Sequence, residues 1–93
     1  MRTRGPKYWN WADSQLHCRV HEEVLSDGKT LDVQTRLSAT GDTQMFIGVY
    51  AGSGKPIYEE VYGKRPGETM TRALAWGVER ARRVAAGEKH VAA

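Results

Sequence analysis

His17, Cys18 and His21 come nearest, in type and spacing, to a set that could do chemistry, and that chemistry would be metal ligation. In an extended strand Cys18 points away from both histidines. His17 and His21, four residues apart, then stand roughly 13 Å from each other, too far to share an ion. In a helix the two histidines would meet at i, i+4, but Glu22 and Glu23 are not spaced to complete the site. Solvated or structural histidines are expected, with Cys18 acting as a small buried hydrophobe and no metal or other cofactor. Glu22-Glu23 and Glu59-Glu60 are adjacent pairs, and neighbours in a strand face opposite ways, so neither pair makes an acid–base dyad. Gly52-Ser53-Gly54-Lys55 has the look of a phosphate loop, but Pro56 stands where Ser or Thr would bind magnesium and Val49 holds the first-glycine position. It reads as a hairpin loop. No Ser/His/Asp order comes with a supporting turn. The expectation is a protein without catalytic machinery.

Recognition by surface is the alternative to catalysis, and two sets of residues suit it. Arg72, Trp76 and Arg80 recur at fours, with Arg83 beside them and Glu79 placed to pair with Arg83. Trp and Arg together are enriched at binding hot spots, and an indole between guanidiniums makes cation–π contacts. Tyr8, Trp9 and Trp11 crowd three aromatics into four positions, which predicts a lid over the domain or an interface element. These seven residues are the expected anchors for a protein partner or a second copy of the chain. The second set is Arg19, Arg36, Phe46 and Tyr50, expected together on the open face of a sheet, with Arg19 opposite Arg36. Basic and aromatic groups on such a face look like a single-strand nucleic-acid platform, although the ordered signature of those binders is absent. Nucleic-acid binding is therefore the alternative function.

The elements that must position these groups follow from periodicity. Met70, Ala73, Leu74, Gly77, Val78, Ala81, Val84 and Ala85 fall on one face at about 100° per residue, which predicts a helix from about Gly67 to Ala86. Pro66-Gly67-Glu68 would open it and Gly87 cap it. Before it, Leu16, Cys18 and Val20 alternate with His17, Arg19 and His21. Asp27-Gly28 then reads as a two-residue hairpin turn, pairing Val24 with Leu31, Glu22 with Val33, Val20 with Thr35 and Cys18 with Leu37. A three-residue loop at Thr40-Gly41-Asp42 pairs Leu37 with Met45, Thr35 with Ile47 and Val33 with Val49. In the fourth strand, inward Ile57 and Val61 bring Glu59 with them, and inward Tyr58 and Tyr62 bring Glu60. Either way a carboxylate lands on the covered face, which fits an edge strand. The expected fold is α+β: a four-stranded antiparallel meander followed by one C-terminal helix packed on one face, β-β-β-β-α.

An α-β-β-β-α order is the alternative, with residues 10–25 helical behind an Asn10 cap. That order is similar to the double-stranded-RNA-binding domain in topology. The family's second helix opens on a lysine-rich phosphate grip, whereas here the opening is Pro66-Gly67-Glu68-Thr69-Met70-Thr71-Arg72.

Composition fits a single small domain. At 93 residues, 40% apolar and 27% charged, the chain has enough apolar material for one core. No apolar run is long enough to span a bilayer and no signal-like segment opens the chain, so a cytoplasmic protein without membrane contact is expected. One cysteine fits a reducing compartment. Charge is uneven. Residues 1–12 carry Arg2, Arg4 and Lys7 with no acid, residues 13–63 carry four bases against eight acids, and residues 64–93 carry seven bases against three acids. Residues 1–10 read as a flexible basic tail broken by Gly5-Pro6, residues 11–87 as the domain and 88–93 as a C-terminal tail.

Overall fold

The structure, a computed structural model, describes residues 3–13, 15–63 and 69–88. Helix α1 (Pro6–Trp11) precedes strands β1 (Cys18–Val24), β2 (Thr30–Leu37), β3 (Thr43–Tyr50) and β4 (Pro56–Tyr62). Helix α2 (Met70–Arg83) follows and runs into a π-helical turn over Val84–Glu88. The strands form one antiparallel sheet in the order β1-β2-β3-β4, so the meander-plus-helix architecture expected from periodicity is present. Residues 18–24 are extended, not helical, and the alternative order does not form. Residues 6–10, expected to belong to a flexible tail, instead form a short helix together with Trp11, with Pro6 at its first position, where a missing N–H costs nothing. The expected helix opening at Pro66-Gly67-Glu68 and residues 89–93 of the expected C-terminal tail lie outside the described residues.

All three hairpins use one device. Leu25 N–H donates to the Lys29 carbonyl (2.8 Å) and Gly28 N–H to the Leu25 carbonyl (2.9 Å). Ser38, Gly41 and Asp42 repeat the pattern, and so do Ala51, Gly54 and Lys55. Each loop is three residues ending in a glycine of positive φ: Gly28 at 92°, Gly41 at 88° and Gly54 at 96°. Among the described residues none but glycine has positive φ, so Asp27 cannot take part in the two-residue turn expected there, which needs positive φ at both central positions. The first correction follows from this. Cys18 pairs with Arg36, Arg19 with Thr35, His21 with Val33 and Glu23 with Leu31, one residue away from the expected register. A slip of one turns the strand over. Arg19, His21 and Glu23 therefore share the α2 side, while Val20, Glu22 and Val24 share the other. At the second hairpin the loop is 39–41, and Thr35 meets Met45 and Val33 meets Ile47. That shift is by two, so Met45, Ile47 and Val49 keep their expected face. On β4, Tyr58, Glu60 and Tyr62 take the α2 side, which resolves the ambiguity in favour of the tyrosines.

The main core lies between α2 and that side of the sheet. Leu31, Val33, Met45, Ile47 and Val49 form the floor, and Val78, Ala81, Val84 and Ala85 form the cover. Thr69 caps α2 by accepting from Arg72 N–H at 3.1 Å, and Gly87, at φ 98°, ends it as expected. Gly77 sets the helix–sheet distance. A methyl there would lie 2.6 Å from Met45 Sδ and 2.7 Å from Val33 Cγ1. Gly77→Ala gains about 1 kcal/mol of helix propensity, against an overpacking cost of about 1–3 kcal/mol. We expect a net loss of up to about 2 kcal/mol in urea denaturation. A stabilised variant would mean that α2 can move off the sheet freely.

Candidate recognition surface

Helix α1 closes the second side of the sheet. The Tyr8 ring stands edge-on to Phe46 with centroids 5.0 Å apart, and Trp11 lies 5.8 Å from the same ring. Gly48, between Phe46 and Tyr50, leaves room for both rings, since a Cβ there would come within 2.9 Å of each. Tyr50 Oη and Gly5 N–H both donate to Glu59 Oε2 at 2.8 Å, tying the chain before α1 to β4. Burial and then the Glu59 hydrogen bond push the Tyr50 hydroxyl far above its usual range. Arg4 pairs with the fully buried Asp32 at 2.8 Å and covers the Tyr8 ring.

This layer overturns the expected open platform. Phe46 and Tyr50 are fully buried and Arg36 nearly so. Arg36 donates from Nε to Gln44 Oε1 at 2.8 Å and from Nη1 to the Trp11 carbonyl, with its guanidinium 3.9 Å from the Trp11 ring. Arg19 is on the other side of the sheet, because of the register, and donates to Thr71 Oγ1 at 2.7 Å. The four side chains do not share a surface.

The stripe on α2 also divides. Arg80, expected in solvent, is buried between α2 and β4. Its Nε donates to Glu60 Oε1 at 2.6 Å and its Nη2 to Glu60 Oε2 at 2.9 Å. Tyr58 and Tyr62 hydroxyls donate to the same carboxylate, each at 2.6 Å. Burial by itself would raise Glu60, but these four hydrogen bonds outweigh it and hold the carboxyl at about 2. Burial and the bond to Glu60 push Tyr62 up to about 12. Trp76 meets Tyr62 edge-on at 5.5 Å and remains 39% exposed, and Arg72 is exposed. Arg83 pairs with Glu79 at 2.6 Å, as the i, i+4 spacing predicts.

Arg82, absent from the expected set, grips Glu23 through Nη2 at 2.7 Å, and His21 Nε2 lies 3.0 Å from the same carboxylate. The bond from Arg82, then that from His21, holds Glu23 at about 2. Nothing local in sequence joins residues 59 positions apart. For Arg80 a signal did exist: a carboxylate on the covered face of β4 requires a cation, and α2 is the element laid over it.

Of the aromatic segment, Trp11 is buried, Tyr8 half-buried and Trp9 65% exposed. The segment and Trp76 stand on opposite sides of the sheet, so they cannot form one docking patch. What Trp9 does adjoin is β1. A groove of ≈ 240 Å³ runs between α1 and the sheet, with Trp9 on one wall and Cys18 and Gln34 on the other. Beyond Cys18 on the same side of β1 come Val20, 53% exposed, and Val24, 72% exposed. Burial raises the Cys18 thiol. Among the described residues, no three His, Cys, Asp or Glu side chains converge on a possible metal position, and no helix is long and apolar enough to cross a membrane.

The fold defines a class: a four-stranded antiparallel meander with one helix on each side of the sheet. Comparison of the chain with protein-family models, with curated proteins and with solved structures finds no match.

Proposed function

We propose that this protein is a small non-catalytic recognition module that works by protein–protein contact, and that β1 pairs with β1 of a second copy. The observation that carries this is the difference between the two edges. Strand β4 begins with Pro56, has a register irregularity beside Tyr50 and is packed by α1, which are familiar protections of an edge. Strand β1 has seven residues in unbroken register, and it exposes Val20 and Val24 at 53% and 72%, more than Ile57 and Val61 of β4 at 40% and 42%. The Leu25–Lys29 hydrogen bond fixes which β1 residues bond to β2, so by alternation the backbone groups of Cys18, Val20 and Val24 point outward.

Charge selects the register. An antiparallel pair centred on His21 sets Arg19 opposite Glu23 of the second copy, twice over, and Cys18 opposite Val24. Centring on Glu22 would oppose like charges, which is unfavourable. The contact is isologous, as a two-fold dimer requires. Trp9, at the rim of the same side, extends the apolar surface. The single thiol of Cys18 suits a cytoplasmic setting, where it stays reduced.

Sedimentation over a wide concentration range tests the reading. A reversible dimer is expected. Val20→Lys should abolish it, because an edge lysine resists pairing. Arg19→Glu should weaken association about tenfold, the order of a charge pair turned repulsive, and adding Glu23→Arg should restore it. A monomer at every concentration discards self-association, and a dimer indifferent to Val20→Lys places the contact elsewhere.

A further inference from the structure

A second feature stands apart from the β1 edge. Lys7, Asn10 and Trp11 lie at i, i+3 and i+4 on α1, and so share one flank of that helix. With Arg36 of β2 and Val61 of β4 they line a pocket of ≈ 320 Å³. Two of the five lining residues are cations and none is an acid.

Arg36 is the unusual member. It is 7% exposed, and its hydrogen-bond partners, the Gln44 side-chain oxygen and the Trp11 carbonyl, are both neutral. Among the described residues no carboxylate lies within ion-pair distance of it. Among the described residues, buried Asp32 is matched by Arg4 and Glu60 by Arg80, and buried Glu59 takes two hydrogen bonds from neutral donors on its own side of the sheet; Arg36 is the buried cation with no acid beside it. A guanidinium taken out of water without an anion is costly. The carbonyl at the end of α1 and the Trp11 ring face offset part of that cost, but neither supplies a full negative charge. Lys7 stands at the exposed side of the same pocket and adds a second cation.

We propose that this pocket binds a small organic carboxylate bearing a flat apolar body. The carboxylate sits between the Lys7 ammonium and the Arg36 guanidinium, where it completes the charge that the fold leaves unmatched. Arg36 offers the planar fork suited to a carboxylate. Asn10 supplies a further polar contact, and the apolar body rests against Val61 and the rim of the Trp11 indole. An inorganic anion would satisfy the cations but leave most of the pocket's space and its apolar walls unused. The site contains no residue of β1, so it stands or falls independently of dimer formation.

The probe is 2-naphthoate, followed through ¹H–¹⁵N spectra of the full chain, with 2-naphthamide as the neutral isostere and inorganic phosphate as the anion without an apolar body. Saturable shifts of the Trp11 indole and Asn10 amide resonances are expected with a Kd on the order of 1 mM, the range for a ligand of this size. Trp76, on the opposite side of the sheet, should not move and serves as the internal reference. Lys7 is exposed, so Lys7→Glu should fold normally and weaken binding by more than about tenfold, as a nearby charge reversal does. Arg36→Gln should do the same if folded, and Lys7→Glu decides the matter if it is not. Naphthamide binding as tightly as naphthoate would overturn the anion site. Phosphate binding as tightly would overturn the apolar body. Shifts centred on Trp9 or Trp76, none at all, or unchanged affinity in Lys7→Glu would overturn the proposal outright.

Discussion

Arg80→Ala should destabilise the protein by about 3–5 kcal/mol, the cost of removing one partner from a buried ion pair. Glu60 would be left beneath α2 with two tyrosine hydroxyls and no cation. A domain of this size has roughly 5–15 kcal/mol in total, so the variant should be visibly less folded in mild denaturant. Pairing it with Glu60→Gln should recover part of the loss, because no bare carboxylate then remains. The effect has a pH signature. The folded Glu60 carboxyl is lowered from 4.5 to about 2, so its contribution is complete above the unfolded value and disappears as pH falls toward 2. The stability gap between the native protein and Arg80→Ala should therefore narrow between those limits. A gap independent of pH in that window, or a variant as stable as the native chain, would show that the pair does not hold α2 to β4.

Phe46→Ala should cost about 3–5 kcal/mol, as for a fully buried aromatic, and its consequences should be confined to one side of the sheet. Phe46 is the contact that both Tyr8 and Trp11 share. Losing it removes the floor under α1 while leaving Leu31, Val33, Met45, Ile47 and Val49 under α2. Amides of residues 9–12, which close the turns of α1, should exchange freely while those of α2 stay protected, and Trp11 fluorescence should shift to the red. Equal loss of protection in both helices would show that the two layers unfold as one unit.

How much of this could be read beforehand depended on whether the signal was local. The α2 face was legible because one amphipathic helix carries its own period, and Gly77, Val78, Ala81, Val84 and Ala85 are buried as their spacing requires. Met45, Ile47 and Val49 lie inward as their alternation predicts, since an even shift in pairing leaves sides unchanged. Strand β1 was inverted by a single turn: Asp27-Gly28 suggests two residues, but the loop takes Ser26 as well and leaves only Gly28 at positive φ. The apolar look of Cys18, Val20 and Val24 supports the wrong face, because Val20 and Val24 are exposed there and Cys18 is half-buried. The expected platform failed for a related reason. Its sheet side was identified for Phe46 and Tyr50, but a six-residue helix containing three aromatics has too little length to show a period. The expected docking stripe lost Arg80 to Glu60, a pairing visible only once β4 and α2 are brought together in space. Trp76 and Arg72 keep the exposure expected of them.

The two helices come from opposite ends of the described chain, and each waterproofs a different side of the same sheet. The hairpins between them are local and can form as soon as their residues have left the ribosome, whereas Gly5 reaches Glu59 across 54 positions. During synthesis α1 emerges first but has nothing to lie on until β3 and β4 exist, and α2 emerges last. One side of the meander can therefore be covered as soon as β4 exists, while the side that α2 will cover stays wet longer, with Leu31, Val33, Met45, Ile47 and Val49 open to whatever else is nearby.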